Sequence, residues 1–374
     1  MTDSSGASQT QSTLTSWRDR CSYWLAESSP TTTRKRRERE TRPLVLTGHG
    51  LSIRVDKGCL LVRDGNTHYP AEKREWRFFN GALDLPTALV VVDGSGEITL
   101  DALDWLAIRG VSIVRLRWDG QFVSVVTAGG QAASVDKVRW QRQTRDDRSA
   151  RVKFARELIL AKAHRTARTM EEYVPRSHTW NIAYENVVAR TRQLERRSPR
   201  TVRELLGLEG SIANEYFRSW KGLSLKWKVL KQLPIPEDWR GFTSRSALRE
   251  NFVENRRATH PINAMLNYAY GVLLARTQIR LIADGYDPTI GIMHDRAKYR
   301  GAYPAFALDQ MEPMRPVVDC AVLQLVASTT FSRADFSIQD DGVCRLNPEL
   351  ARRVAQLATE YGQTTRAATW AVRC

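Results

Sequence analysis

Near residue 137 the hydrophobic pattern of this chain changes period, and that change divides the fold. From 43 to 135 the apolar residues fall in short β-branched runs: PLVLTG, LSIRV, GCLLVR, ALVVVDG, EITL, VSIVRL and QFVSVVT. Gly, Asp and Asn punctuate them at 48–50, 56–58, 64–66, 93–94 and 119–120. Runs of that length between turn residues read as strands. One segment, 99–107, has helical spacing instead, with Thr99 or Asp101 available as its cap. From Val138 onward the spacing is helical, over about 152–173, 179–195, 200–220, 246–255, 261–284, 309–330 and 348–360. The expected fold class is α+β: a β domain over 43–137, then an all-α domain over 138–374.

Charge follows the same division. The formal net charge is +16, distributed as +3 over 1–42, −1 over 43–137, +13 over 138–257 and +1 over 258–374. The first 42 residues are Ser/Thr-rich, then basic at 34–37, and are expected to form a mostly disordered arm in which Trp17, Tyr23, Trp24 and Leu25 offer docking groups. In the middle, Arg196, Arg197, Arg200 and Arg203 run into one helix, Arg218 and Lys221 follow, and Arg256 and Arg257 come later. Trp220 and Trp227 are interleaved with these cations. A positive field this local predicts a nucleic-acid partner, and neutralising ~6–10 phosphates would make binding steeply salt-dependent. Arg145, Arg148, Arg151, Lys153 and Arg156 are expected along one helix entering the second domain.

Other chemistries find little support. The five Cys are scattered without a C-x-x-C, which reads as reduced thiols in a cytosolic protein. The apolar stretch 263–282 contains Asn267, Arg276 and Arg280, so it reads as a core helix and not a membrane span. There is no P-loop, G-x-G-x-x-G, G-x-S-x-G or H-E-x-x-H.

Four residues carry candidate chemistry. Glu209 lies beside an apolar helical stripe of Leu205, Leu208, Ile212, Ala213 and Phe217. His294 ends a short apolar segment. Asp309 and Glu312 are spaced i, i+3, which in a helix puts both on one face, although Pro313 and Pro316 complicate that helix. Each has an ordinary alternative: a surface Glu paired with Arg, a loop histidine, or a Glu312–Arg315 ion pair. Taken together, three carboxylates and an imidazole suit a hard divalent cation, Mg²⁺ or Mn²⁺.

The order of the motifs adds a resemblance. The chain carries L-x-G-L-E-G-x-x-A-x-x-Y-F at 205–217, H-P-I-N-A-M-L-N-Y-A-Y at 260–270, G-I-M-H at 291–294 and A-L-D-x-M-E-x-x-R-P-x-V-D at 307–319. Segment 98–120, I-T-L-D-A-L-D-W-L-A-I-R-G-V-S-I-V-R-L-R-W-D-G, fits the same pattern. Over about 43–330 the chain resembles the CRISPR-associated endonuclease and integrase family Cas1. The resemblance implies a β-sandwich-like N-terminal domain and a helical catalytic domain. It implies that Glu209, His294 and Asp309 are catalytic metal ligands, with Glu312 as a nearby second acid and Arg315 contacting DNA or bracing Glu312.

The role it implies is metal-dependent joining of protospacer DNA 3′-hydroxyl ends into the CRISPR repeat array. The implied assembly is two homodimers flanking a dimer of the small protein Cas2, in the prokaryotic cytoplasm. His260, Pro313 and Met314 depart from the family pattern, and the 1–42 arm is additional. The alternatives are a transposon-type integrase, a stand-alone branched-DNA nuclease, or an inactive DNA-binding scaffold. The short tail after Leu350 leaves little room for the extra DNA-binding domain of transposon relatives.

Overall fold

The β-branched runs pair into one six-stranded mixed sheet. In a computed structural model, the described residues are 17–28, 40, 42–67, 73–127, 133–196, 199–228, 234–245, 258–294, 303–340 and 342–364. Strands β1 (Leu44–Asp56), β2 (Cys59–Arg63), β3 (Glu75–Phe78), β4 (Ala88–Ile98), β5 (Ser112–Leu116) and β6 (Phe122–Val126) lie in the order β3-β2-β1-β4-β5-β6. β1–β4 and β4–β5 are parallel, and the other pairs are antiparallel. Strand β3, EWRF, escaped the sequence reading because it is short and half charged.

β1 and β4 each merge two of the expected runs, and the join is a bulge. The β1–β4 register shifts between Thr47 and His49 and again between His49 and Leu51. Gly48, Gly50 and Gly94 supply positive φ there. The extra residue changes which parity faces inward. Leu46 points into the core before the bulge, and Leu51 and Ile53 do so after it. The bent sheet therefore closes on a single apolar core with helix α2 (Leu100–Ile108), which adds Trp105 and Leu106 and is capped by Thr99 as expected. Val45, Val90, Val92, Val114 and Leu116 belong to a different core, shared with the helical region.

That region contains α3 (Val135–Asp146), α4 (Arg148–Tyr173), α5 (His178–Arg196), α6 (Val202–Ser219), α7 (Pro261–Ala283), α8 (Ala305–Met311), α9 (Arg315–Ser328) and α10 (Pro348–Thr364). Helix α7 is the buried centre, packed against α8, α9, α10 and β6. No helix among the described residues is long and apolar enough to cross a membrane.

Several expectations need correction. The region is not purely helical: β7 (Lys226–Trp227) pairs with β8 (Thr330–Phe331), and β9 (Phe336–Ile338) with β10 (Cys344–Leu346). The helix expected over 309–330 is two helices, with a 3₁₀ turn at Glu312–Met314 where Pro313 and Pro316 interrupt the α ladder. The basic helix expected through 145–156 breaks at Asp147, whose side chain caps α4 by accepting from Ala150 N–H. The helix expected over 246–255 lies outside the described residues.

The docking groups of the N-terminal arm lie in or beside a helix. Helix α1 (Trp17–Ser28) buries Trp24 completely. Arg20 Nε and Trp24 Nε1 both donate to Asp335 Oδ1, at 2.7 and 2.8 Å. Trp24 joins the core of the helical region, with its ring centroid 6.1 Å from that of Phe331. The charge run at 34–37 lies outside the described residues.

Two contacts seat the sheet on the helices. Arg352 of α10 is buried and donates to Val45 O, to Thr47 Oγ1 at 3.3 Å and to Asp64 Oδ2 at 2.7 Å. The β5–β6 turn meets α7 backbone to backbone. Gly120 has φ +81°, and a Cβ there would lie 2.6 Å from Asn267 C. Tyr268 Oη donates to Trp118 O in the same turn. This contact brings 119–123 to the edge of the cleft described next.

Candidate active site

The cleft has a volume of about 970 Å³ and is lined by Lys162, Glu209, Gly210, Arg245, Asn267, Tyr270, Arg315 and the β5–β6 turn. Glu209 reaches it from α6. That helix starts at Thr201, whose hydroxyl accepts from Glu204 N–H, and buries Leu205, Ile212 and Tyr216. Glu209 sits at the margin of this stripe, half-buried. A side chain at Gly207 or Gly210 would meet nothing within 4 Å, so this face of α6 is open.

Glu312 comes from the 3₁₀ turn after α8 and is buried. A residue that the sequence reading passed over joins the two acids. Lys162 of α4 donates from Nζ to Glu209 Oε1, and to Glu312 Oε2 at 2.6 Å. Arg315 Nη2 holds Glu312 Oε1 at 3.1 Å. Burial alone would raise the Glu312 pKa, but Arg315 and Lys162 outweigh it and hold the carboxyl at about 2. Burial likewise opposes the charge on Lys162, yet Glu312 and Glu209 raise its pKa above the ordinary value. The available signal was position: Lys162 lies among Ala155, Ile159, Ala163 and Thr166 on the buried face of α4.

His294 and Asp309 form a second pair. Asp309 is fully buried near the end of α8. Its Oδ2 accepts from the N–H groups of Ile292 and Met293 at 2.6 and 3.0 Å. Its Oδ1 accepts from His294 N–H at 2.8 Å and lies 2.7 Å from His294 Nδ1. Burial lowers the His294 pKa, and the Asp309 hydrogen bond and charge more than reverse that, leaving it raised. The segment before His294 is fixed by Arg151, whose Nε donates to Ile292 O at 2.7 Å. Gly291 is required by close packing, since a Cβ would lie 2.6 Å from Ala305 Cβ.

Asp309 hydrogen-bonds His294 while Glu312 pairs with Lys162 and Arg315, and the charge of Glu312 also acts on His294. Among the described residues no three His, Cys, Asp or Glu side chains stand together as a finished metal cage. The donor chemistry nonetheless fits a hard cation: two carboxyl side chains from separate elements, with an imidazole oriented by a carboxylate. Both Asp309 oxygens are already used within the protein.

Of the residues expected to bind DNA, Arg196, Arg200, Arg203 and Lys221 are exposed on or beside α5 and α6. Arg218 pairs with Glu215 at 3.3 Å. Arg315 faces Glu312 and the Tyr270 ring. Arg197, Arg256 and Arg257 lie outside the described residues. Arg151 and Arg156 serve structure instead, since Arg156 donates to Leu194 O and Glu195 O at the end of α5. Beyond Arg315 the cleft floor holds Asp319, which accepts from Tyr216 Oη at 3.0 Å and Tyr270 Oη at 2.6 Å. Burial raises its pKa to about 6 against those hydrogen bonds.

The comparisons agree with the motifs. A family model described as CRISPR associated protein Cas1 matches residues 44–360. A CRISPR-associated endonuclease Cas1 of Methanospirillum hungatei is 25% identical over 313 residues, covering 83% of this chain and 85% of that protein. A Cas4 exonuclease/Cas1 endonuclease fusion of Geobacter sulfurreducens is 26% identical over 318 residues, covering 84% of this chain and 53% of the fusion. In fold, the chain is similar to a casposase bound to integration product, with TM-score 0.65 at 23% identity over 86% of this chain and 82% of that one. It is also similar to a Cas1 protein from Thermotoga maritima, with TM-score 0.61 at 15% identity over 86% and 89%. The α+β architecture read from the sequence is the architecture of these proteins, and the chain belongs to the CRISPR-associated Cas1 family.

Proposed function

We propose that this chain is a divalent-cation-dependent DNA endonuclease and integrase, joining protospacer 3′-hydroxyl ends to a CRISPR repeat array by transesterification. One observation carries the reading. Glu209 and Glu312, from distant parts of the chain, share the ammonium of Lys162, and Glu209 and Lys162 line the cleft. Glu209, Glu312 and His294 are the residues that would hold Mg²⁺ or Mn²⁺. When bound, such an ion activates the attacking hydroxyl and stabilises charge on the scissile phosphate. Asp309 fixes the His294 ring, so that its other nitrogen is the one presented. Arg196, Arg200 and Arg203 grip phosphates. Because the nucleophile is a DNA hydroxyl, no protein nucleophile is required.

The names of relatives support the activity, since the curated Cas1 proteins are called endonucleases. Partners are proposed on the same footing. A solved Cas6-RT-Cas1–Cas2 complex matches with TM-score 0.64 at 20% identity, over 90% of this chain and 35% of that one. We take double-stranded DNA and Cas2 as partners, with two Cas1 homodimers on one Cas2 dimer in the prokaryotic cytoplasm.

The test is strand transfer of a labelled 3′-hydroxyl duplex into a supercoiled repeat plasmid with Mn²⁺ or Mg²⁺. Glu209→Gln, His294→Gln and Glu312→Gln are expected to lose joining while retaining DNA binding. Joining that survives in all three would overturn the assignment. The likeness to a casposase favours a second reading, a transposon-type integrase. That enzyme would join equally well to plasmids without a repeat.

A further inference from the structure

We propose that Lys162 is a resident counter-cation that holds Glu209 and Glu312 together until nucleic acid draws its ammonium away, so that nucleic acid and divalent cation bind this centre cooperatively. The inference rests on the metal-centre reading above and assigns a regulating role to a residue outside the ligand set.

The geometry supports it in three ways. First, the chain's own cations occupy the carboxylates. Lys162 Nζ takes Glu209 Oε1 and Glu312 Oε2, and Arg315 takes Glu312 Oε1. Only the second oxygen of Glu209 is left out of these contacts. Second, Lys162, Arg315, Glu209 and Glu312 sum to zero formal charge. A divalent cation drawing on the same oxygens adds charge to a neutral cluster and competes directly with the ammonium. Third, Lys162 can leave. Its side chain is 13% exposed and lines the cleft with Glu209. An ammonium on a four-carbon stem reorients readily and is a good point-charge partner for a phosphate oxygen.

Arg315 lacks that freedom, because its guanidinium is also stacked 5.3 Å from the centre of the Tyr270 ring. A phosphate entering the cleft gives Lys162 a new anionic partner and frees oxygens on both acids. By linkage, DNA then raises cation affinity, and cation raises DNA affinity by the same factor. Without DNA, Lys162 keeps two adjacent carboxylates from repelling one another and from recruiting a cation when no substrate is present.

The experiment is an equilibrium titration of the full chain with Mn²⁺ alone, reading free Mn²⁺ by electron paramagnetic resonance, with and without a DNA duplex at fixed salt. Wild-type protein is expected to bind Mn²⁺ about tenfold more tightly with DNA, a usual size for coupled sites. Lys162→Gln is expected to bind Mn²⁺ about tenfold more tightly than wild type without DNA, and to gain little when DNA is added. A folded Lys162→Gln protein with wild-type or weaker Mn²⁺ affinity, or with undiminished coupling, overturns the role. Should Lys162→Gln fail to fold, Lys162→Arg decides, since it keeps a cation: retained coupling supports the role and lost coupling in a folded protein overturns it. Wild-type protein that binds no Mn²⁺ in either condition overturns the metal-centre reading and this inference with it. Wild-type binding that is indifferent to Lys162→Gln overturns this inference alone.

Discussion

Asp309 holds His294 at two points: its Oδ1 accepts the His294 backbone N–H at 2.8 Å and lies 2.7 Å from the imidazole Nδ1. Ring and main chain are therefore positioned by a single carboxylate that solvent does not reach. Asp309→Asn puts an NH₂ group among N–H donors that need an acceptor. The expected cost is about 1–3 kcal/mol of stability, read from the urea midpoint. Mn²⁺-dependent nicking is expected to fall about 10–100-fold, the usual loss when a group orienting a ligand is removed. Wild-type nicking by the variant would show that His294 needs no such support.

Glu312 has a depressed pKa, about 2 against an ordinary 4.5, so its contribution to folding has a definite pH window. Below its folded value the group is protonated in both states and contributes nothing. Above its unfolded value the folded form is favoured in full, by roughly 3 kcal/mol for a shift of this size. Stability of the metal-free protein is thus expected to fall as pH drops from about 4.5 towards 2. In Glu312→Gln that part of the acid loss disappears. Urea melts of the two proteins at several pH values would check this, and parallel acid losses would contradict it.

Gly120 and Gly271 touch where the β5–β6 turn meets α7, and a Cβ on Gly120 would lie 2.6 Å from Asn267 C. The turn also needs the positive φ at Gly120. Gly120→Ala is expected to cost about 1–3 kcal/mol through overpacking and backbone strain. The same change at Gly110, with φ +68° but open space around it, is expected to cost less. Thermal unfolding of the two variants compares them directly.

Arginines that look alike in sequence should differ in salt dependence. Replacing Arg196, Arg200 or Arg203 by Ala is expected to reduce the slope of log affinity against log salt by about 1 each. Arg156→Ala is expected to leave the slope unchanged and lower the melting temperature, because its guanidinium caps the carbonyls of Leu194 and Glu195. Fluorescence anisotropy with one duplex across a salt series distinguishes the two classes.

The legible part of the fold follows local rules. Five of the six strands of the sheet, the Thr99 cap and the buried character of α7 all come from spacing within one window, where neighbours along the chain settle the conformation. The bulge that merges PLVLTG with LSIRV was not legible, because Gly48 and Gly50 read equally well as a turn between two strands. Trp24 shows a different limit. Its helix depends on Asp335, and nothing local announces a partner 311 positions away.

The site divides in the same way. Sequence alone nominated Glu209, His294, Asp309 and Glu312 as candidates, through residue chemistry and the order of the motifs. Which groups each of them faces is decided by the tertiary structure. Asp309 and Glu312 take different hydrogen-bonding partners, and α4 brings Lys162 between two acids with which it shares no motif. Residue chemistry is a property of the chain, but which charges face one another in a buried cleft depends on distances across the fold, and at short range those distances govern the energy.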